Sequence, residues 1–142
     1  MILPLTIAAS GMRAAGVRVA VAADNVANVF STGRMPNSAS GSTTASENPH
    51  VYRARDVQQS SVVAGGLGVG TVAIAGYKDP DTVALYAPDL PFADENGMVA
   101  APNVSLDEEM INLVVAKSSY IANAKSFKAA DDMSKTLLDI VS

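Results

Sequence analysis

Ser105-Leu106-Asp107-Glu108-Glu109-Met110-Ile111-Asn112-Leu113 opens the stretch whose reading decides the fold. Ser105 is a candidate N-cap, Glu108 stands three residues on at the N3 position, and Asp107, Glu108 and Glu109 put negative charge where a helix start favours it. From there to Val141 no Pro or Gly interrupts the chain. Leu106, Met110, Leu113, Tyr120, Ala124, Phe127, Leu138 and Val141 follow the 3-4 spacing of a single apolar seam, broken by Lys117, Asp131 and Ser134. The spacing predicts one helix of about 55 Å at 1.5 Å per residue, which implies an elongated molecule. Ile111, Val114, Ile121, Met133, Leu137 and Ile140 widen the apolar surface beyond a two-helix stripe, so more than one neighbour is expected to cover it. Asp131 with Lys135, Lys128 with Asp132 and Lys135 with Asp139 are i,i+4 pairs, each worth about 0.2–0.5 kcal/mol to the helix.

The other end of the chain carries a matching pattern. Leu5, Met12, Val19 and Val26 recur every seven residues, with Ala8, Ala15, Ala22 and Val29 three positions after each. This is an a/d seam of alternating larger and smaller side chains, and it asks for a partner helix. The first 23 residues are apolar enough to suggest a secretory signal or a membrane span. Arg13 and Arg18 come after the apolar start, where a signal needs them before it, and they break the run of about 20 apolar residues that a span requires. An amphipathic, non-spanning helix is therefore expected.

Between the two helices the chain changes character. Ser31-Thr32-Gly33 and then Pro36 to Thr44 are too polar and too rich in Ser, Thr and Gly to bury anything, and predict a flexible loop over 30–50. Partly alternating Val and Arg residues in 51–64, and Val69, Val72 and Ile74 in 69–76, predict short strands joined by a turn at Gly65-Gly66. A third extended region is expected from Val83 to Tyr86. Asn96-Gly97 supplies the positive φ of a tight hairpin turn. The whole reads as an α+β chain: an N-terminal helix over 1–29, the loop, a small β element over 51–102, and a C-terminal helix over 103–142, the two helices forming one domain.

Composition narrows the function. The 142 residues suit one compact module, and 14 Asp+Glu against 10 Lys+Arg, a net charge of -4, remove the basic footprint of a nucleic-acid binder. With no Cys there is no disulfide, thiolate nucleophile or Cys-ligated metal. The lone His50 cannot form a His-paired metal site or a His relay within the chain, and is expected in an exposed loop. Gly66-Leu67-Gly68-Val69-Gly70 precedes a strand-like run where a phosphate loop needs a helix, and aligning Gly97 with an EF-hand glycine puts Phe92 at the first ligand position. There is no nucleophile elbow. No catalytic residue, cofactor, metal or small-molecule substrate is expected.

Both ends resemble a known family. Ala8-Ala9-Ser10-Gly11-Met12, Asp24-Asn25-Val26-Ala27-Asn28-Val29 and Ser31-Thr32-Gly33 resemble the N-terminal signature of bacterial flagellar axial proteins, those of rod and hook. Asp89 to Val99, Pro102-Asn103-Val104-Ser105, Glu108-Glu109-Met110 and Ser118-Ser119-Tyr120-Ile121-Ala122-Asn123 resemble the proximal-rod type of basal-body rod protein. The likeness covers 1–33 and 86–141; residues 34–60 depart from it with a longer Ser/Thr-rich insertion, and Asp24 and Phe30 stand where Asn is common.

The resemblance implies that the two helices pair as an antiparallel coiled coil and pack with neighbours into a helical tube, the β element lying outside. It implies a structural subunit of the periplasmic rod that transmits torque, partnered by copies of itself and other rod proteins. Export without a cleaved signal by the flagellar type III apparatus, and termini ordered only on assembly, are implied with it. On that scheme Ala8, Gly11, Ala15 and Gly16 allow close helix approach, and the subunit interface takes in Leu5, Met12, Val19, Val26, Met110, Leu113, Tyr120, Asn123, Phe127 and Leu138. Asn25 and Asn28 are candidate polar register-setting positions, or else exposed amides near a helix end. The alternative function is an export-linked or assembly adaptor that uses the same coiled coil once.

Overall fold

The structure is a computed structural model and describes residues 2–35 and 50–141. In order along the chain lie α1 (Ile2–Asn28), β1 (Arg55–Ala64), β2 (Leu67–Tyr77), β3 (Thr82–Tyr86), β4 (Met98–Pro102) and α2 (Leu106–Val141). The class is α+β, with β1 and β2 in one two-stranded sheet and β3 and β4 in another. The predicted loop lies mostly outside the described residues. His50 lies in an exposed coil.

The chain divides into two compact units. The first holds residues 1–22, 57–75 and 110–142. Its part of α1 begins with Pro4 in the first turn, where an N–H would have no helical acceptor anyway. By length and composition α1 could cross a membrane, but Ala8, Ala14, Ala15, Val21 and Ala22 are buried within the protein and give the helix a covered face. The β1–β2 hairpin turns at Gly65 and Gly66, with φ of 59° and 78°. Two consecutive left-handed residues make the turn whose twist matches paired strands, and Gly adopts it without strain. Gln59 Nε2 donates to Thr71 Oγ1 at 3.1 Å, and Thr71 Oγ1 to Ser60 O at 2.9 Å, across the pair.

The second unit holds residues 23–56 and 76–109. Here β3 and β4 run antiparallel in register Thr82 with Pro102 through Tyr86 with Met98. Val99, Ala100 and Ala54 form its buried centre. Asn96-Gly97 does not close a two-residue hairpin. The β3–β4 connection is long, and Asp94 Oδ1 accepts from the N–H groups of Asn96 and Met98 at 2.9 and 2.8 Å, so the Asp side chain shapes the turn. Gly97 has φ 74°, and a Cβ there would meet the Tyr86 ring and Pro88. The sequence reading also lacked β4, whose Met98-Val99-Ala100-Ala101-Pro102 has no polar alternation because Val99, Ala100 and Pro102 are all buried. Gly33, inside the expected loop, bridges to Ala100 with bonds of 2.9 and 2.8 Å in both directions.

α2 starts as expected. Ser105 Oγ accepts from Glu108 N at 3.4 Å and Ser105 O from Glu109 N at 3.0 Å. Glu108 is bridged to Lys78 at 3.2 Å. Of the predicted i,i+4 pairs, Asp131 and Lys135 meet at 2.6 Å.

Candidate functional site

The second unit contains a buried side-chain amide whose hydrogen-bonding capacity is fully used. Asn25, in the last turns of α1, is 1% exposed. Its Nδ2 donates to Glu109 Oε1 at 2.6 Å and to Arg55 O at 2.8 Å, while its Oδ1 accepts from Tyr52 OH and from Arg55 N, each at 3.0 Å. An amide has two donors and two acceptor sites, and all four are used, so one residue joins α1, the segment at 52–55 that leads into β1, and the first turn of α2. Glu109 is itself 7% exposed. Its carboxylate sits in the first turn of α2, where the free N–H groups favour negative charge.

Around this centre the unit is fastened at its surface. Arg55 meets Asp24 at 3.2 Å. Arg53 bonds to Asp81 and lies over the Tyr77 ring at 3.9 Å. That hydrogen bond chiefly holds the Asp81 carboxyl below, and raises Arg53 above, its ordinary range. Burial first, and then the charge of Asp24, push the Tyr52 phenol up. Asn28 Nδ2 donates to Asp24 O at 2.8 Å, closing the end of α1.

In the first unit the two long helices come close at Gly11. A Cβ placed there would lie 2.4 to 2.7 Å from the side-chain amide of Asn123, which donates to Ser119 O at 2.8 Å. Only a residue without a side chain permits that approach. Gly16, by contrast, has nothing within 4 Å of an added Cβ. Beside Gly11 an open hollow of about 410 Å³ is lined by Ser10, Arg18, Gly70, Thr71, Ser119 and Asn123, among others. Its lining contains no carboxylate and no His, so no acid–base pair faces it. Among the described residues no group of three His, Cys, Asp or Glu could hold a metal.

The expected interface residues separate into two kinds. Asn25 is buried, and Leu5, Met12, Val26, Asn28, Leu113 and Asn123 are half-buried. Val19, Met110, Tyr120, Phe127 and Leu138 are exposed, Met110 at 63%. On α1 the small half of the heptad pattern, Ala8, Ala15 and Ala22, is buried, while none of the large half is. On α2 the expected seam of large residues is not the covered one. The most enclosed positions are Glu109, Ala116 and Ala130, with Asn123 completing a seven-residue spacing. Small and polar side chains take the enclosed row because they let backbones approach. Periodicity of large apolar residues cannot reveal such a row. Glu109, Tyr52 and Arg55 were outside the expected site set; the seven-residue spacing of Glu109, Ala116, Asn123 and Ala130 was the available signal.

The remaining apolar residues of α2 ring its outer surface. Ile111, Val114, Ile121, Met133, Leu137 and Ile140 are all exposed, Val114 at 68%.

Known proteins match the chain at both ends. The profile described as "Flagella basal body rod protein" matches residues 5–33, and that described as "Flagellar basal body rod FlgEFG protein C-terminal" matches residues 95–140. The flagellar basal-body rod protein FlgC of Agrobacterium fabrum is 32% identical over 137 residues, which are 95% of this chain and 91% of the relative. FlgC of Salmonella typhimurium is 35% identical over 130 residues, 89% of this chain and 87% of the relative. FlgC of Aquifex aeolicus is 31% identical over 131 residues, with 91% and 88% covered. With identity above three residues in ten sustained from end to end, the chain belongs to the FlgC family of flagellar basal-body rod proteins.

Proposed function

We propose that this chain works by helix-to-helix polymerisation, in which copies of itself and other rod proteins cover the apolar side chains that α1 and α2 leave in water. It is a structural subunit of the flagellar basal-body rod, and the shaft so formed carries torque through many repeated contacts, without a reaction or a cofactor. The observation that carries the reading is the exposed stripe from Ile111 to Ile140 on a helix that already has a covered row. A helix with a second apolar stripe beside its covered row is best stabilised when further neighbours pack on it.

The same reading pairs α1 with α2 as an antiparallel coiled coil. Two contacts support it: Gly11 meets Asn123 in one unit, and Asn25 bonds to Glu109 in the other. In each unit the contact is between a residue of α1 and a residue of α2. Asn25 then fixes register, since a one-turn slip would leave its amide and the Glu109 carboxylate buried without each other. Delivery through the flagellar type III export apparatus to a periplasmic rod completes the proposal.

Cryo-electron microscopy of isolated basal bodies tests it. Density for this chain in the proximal rod, with 2–28 running antiparallel to 106–141, is the expected result. Its absence from the rod, with the chain recovered in a soluble complex, would overturn the polymer reading in favour of a single-use adaptor.

A further inference from the structure

Each of the two small sheets has one edge covered by the chain itself; the other is open, apart from the start of β1, where Asn25 bonds to both backbone groups of Arg55. At β2 the covering group is Ser10 on α1, whose Oγ accepts from Thr71 N at 3.0 Å, so a backbone N–H of the strand is bonded away from the sheet. At β4 it is Gly33, which exchanges two backbone bonds with Ala100. Strand β1 has only β2 beside it and β3 only β4, among the described residues. A strand with a single neighbour directs half of its N–H and C=O groups outward.

Neither open edge carries the features that keep edges from pairing. Gln58-Gln59-Ser60-Ser61-Val62-Val63-Ala64 on β1 is exposed at every residue and contains no charge, Pro or Gly. Thr82-Val83-Ala84-Leu85-Tyr86 on β3 is likewise uncharged, and its last four residues are exposed. Lys, Pro, inward charges and bulges are the usual protections, and uncovered edges without them are templates for strand addition. A lone two-stranded hairpin is also marginal in water, so another strand would stabilise either sheet.

We propose that the open edge of β1 in one copy pairs with the open edge of β3 in a neighbouring copy. The inference rests on the rod reading, because a helical polymer needs head-to-tail contacts between two different surfaces, whereas β1 meeting β1 would close a two-fold pair and stop growth. The two edges are the complementary surfaces that such a contact requires. Neither 58–64 nor 82–86 carries a charge, so no like charges meet when these stretches pair, and Val62 offers a β-branched partner for Val83 across the new ladder.

The absence of Cys makes a cross-linking test clean. Chains carrying Ser61→Cys and chains carrying Ala84→Cys are produced together, and isolated basal bodies are oxidised. The expected product is a mixed dimer containing one chain of each kind, lost when Ser61→Cys is paired with a chain lacking a second Cys. Incorporation of both variants without a mixed dimer, or with only the Ser61→Cys homodimer, would overturn the strand pairing and leave the rod reading intact. Hydrogen exchange on unmodified protein needs no substitution: amides in 58–64 and 82–86 should exchange more slowly in rods than in the free chain. Unchanged exchange in either strand, or protection already present in the free chain, would overturn the proposal, whereas absence of the wild-type chain from rods would overturn the rod reading itself.

Discussion

Asn25→Ala removes the centre of the second unit. Four hydrogen bonds disappear at once: Glu109 Oε1 loses its partner in a buried position, and Tyr52 OH and both backbone groups of Arg55 lose theirs in part-buried ones. Three of the bonds are between neutral groups, worth about 1 kcal/mol each, and the one to a carboxylate is worth about 1.5–3 kcal/mol. Partial rescue by a water entering the vacated space reduces the sum, leaving a loss on the order of 4 kcal/mol. Against a total stability of about 5–15 kcal/mol for a domain, that is a large fraction. It corresponds to a fall in melting temperature of roughly 10–15 °C for a chain of this size.

The assay is urea unfolding of the purified chain, with hydrogen exchange at the Arg55 amide as a local probe. Asn25→Asp separates packing from bonding: it keeps the shape but turns an acceptor toward the Glu109 carboxylate and the Arg55 carbonyl. It should lose at least as much stability as Asn25→Ala at neutral pH and regain part of it on acidification. Asn28→Ala is the control, because its one bond is to an exposed carbonyl and its effect should stay within about 0.5 kcal/mol. A loss below about 1 kcal/mol for Asn25→Ala, with the Arg55 amide still protected, would refute the view that this amide organises the unit.

Other consequences concern assembly, helix approach and pH. Val114→Asp should leave the free chain's unfolding curve unchanged, since the side chain is 68% exposed, yet abolish rod incorporation and motility; motile cells carrying it would contradict the outer-stripe interface. Leu113→Asp should abolish incorporation too, but Leu113 is half-buried, so its stability is expected to fall as well. Gly16→Ala should stabilise the chain by about 0.5–1 kcal/mol, as an open position inside a helix. Gly11→Ala should destabilise it, and adding Asn123→Ala should restore the loss; coupling below about 0.5 kcal/mol in that cycle would mean the two do not touch. The lowered Asp81 pKa means that its contribution is present above the ordinary carboxylate value and is lost as pH falls through the depressed one, so Asp81→Asn should flatten the acid limb of a melting profile. The raised Tyr52 pKa acts at the other end: stability is complete below the ordinary phenol value and is lost as pH rises through the raised one, and Tyr52→Phe should remove that alkaline loss.

The sequence made the long elements legible because they depend on local rules. Ser105 announces the start of α2, uninterrupted helix formers carry it to Val141, and Gly65-Gly66 announces the hairpin. The Asn96-Gly97 dipeptide misled because a nearby side chain, Asp94, captures the two N–H groups that decide the turn, and that capture is invisible to a two-residue rule. β4 was hidden for a different reason: a strand enclosed on both faces has no alternation to read. The deepest difference lies in the helices. Periodicity weighs large apolar residues as buried, and it therefore placed the α2 seam on Leu106, Met110, Tyr120 and Phe127, all of which are exposed in the single chain.

That difference carries its own physical content. Where two helices approach closely, as at Gly11, volume must be small, and Ala8, Ala15 and Ala22 on α1 and Ala116 and Ala130 on α2 are among the residues the chain encloses by itself. Packing of small residues gives little hydrophobic stabilisation per position, about 0.8 kcal/mol for each buried methylene equivalent, so such an internal seam is weak. In the second unit the buried Asn25–Glu109 bond leaves each group dependent on the other, since separating them would strand both. The large apolar residues, each worth about 1.5–3 kcal/mol when fully buried, lie on the outside, where only other chains can cover them. On the polymer reading, a subunit with this much exposed apolar surface gains the larger share of its stabilisation when it enters the rod. The free chain should accordingly melt well below the assembled one. Equal melting temperatures for purified subunit and isolated rod would contradict this division between inner seam and outer stripe.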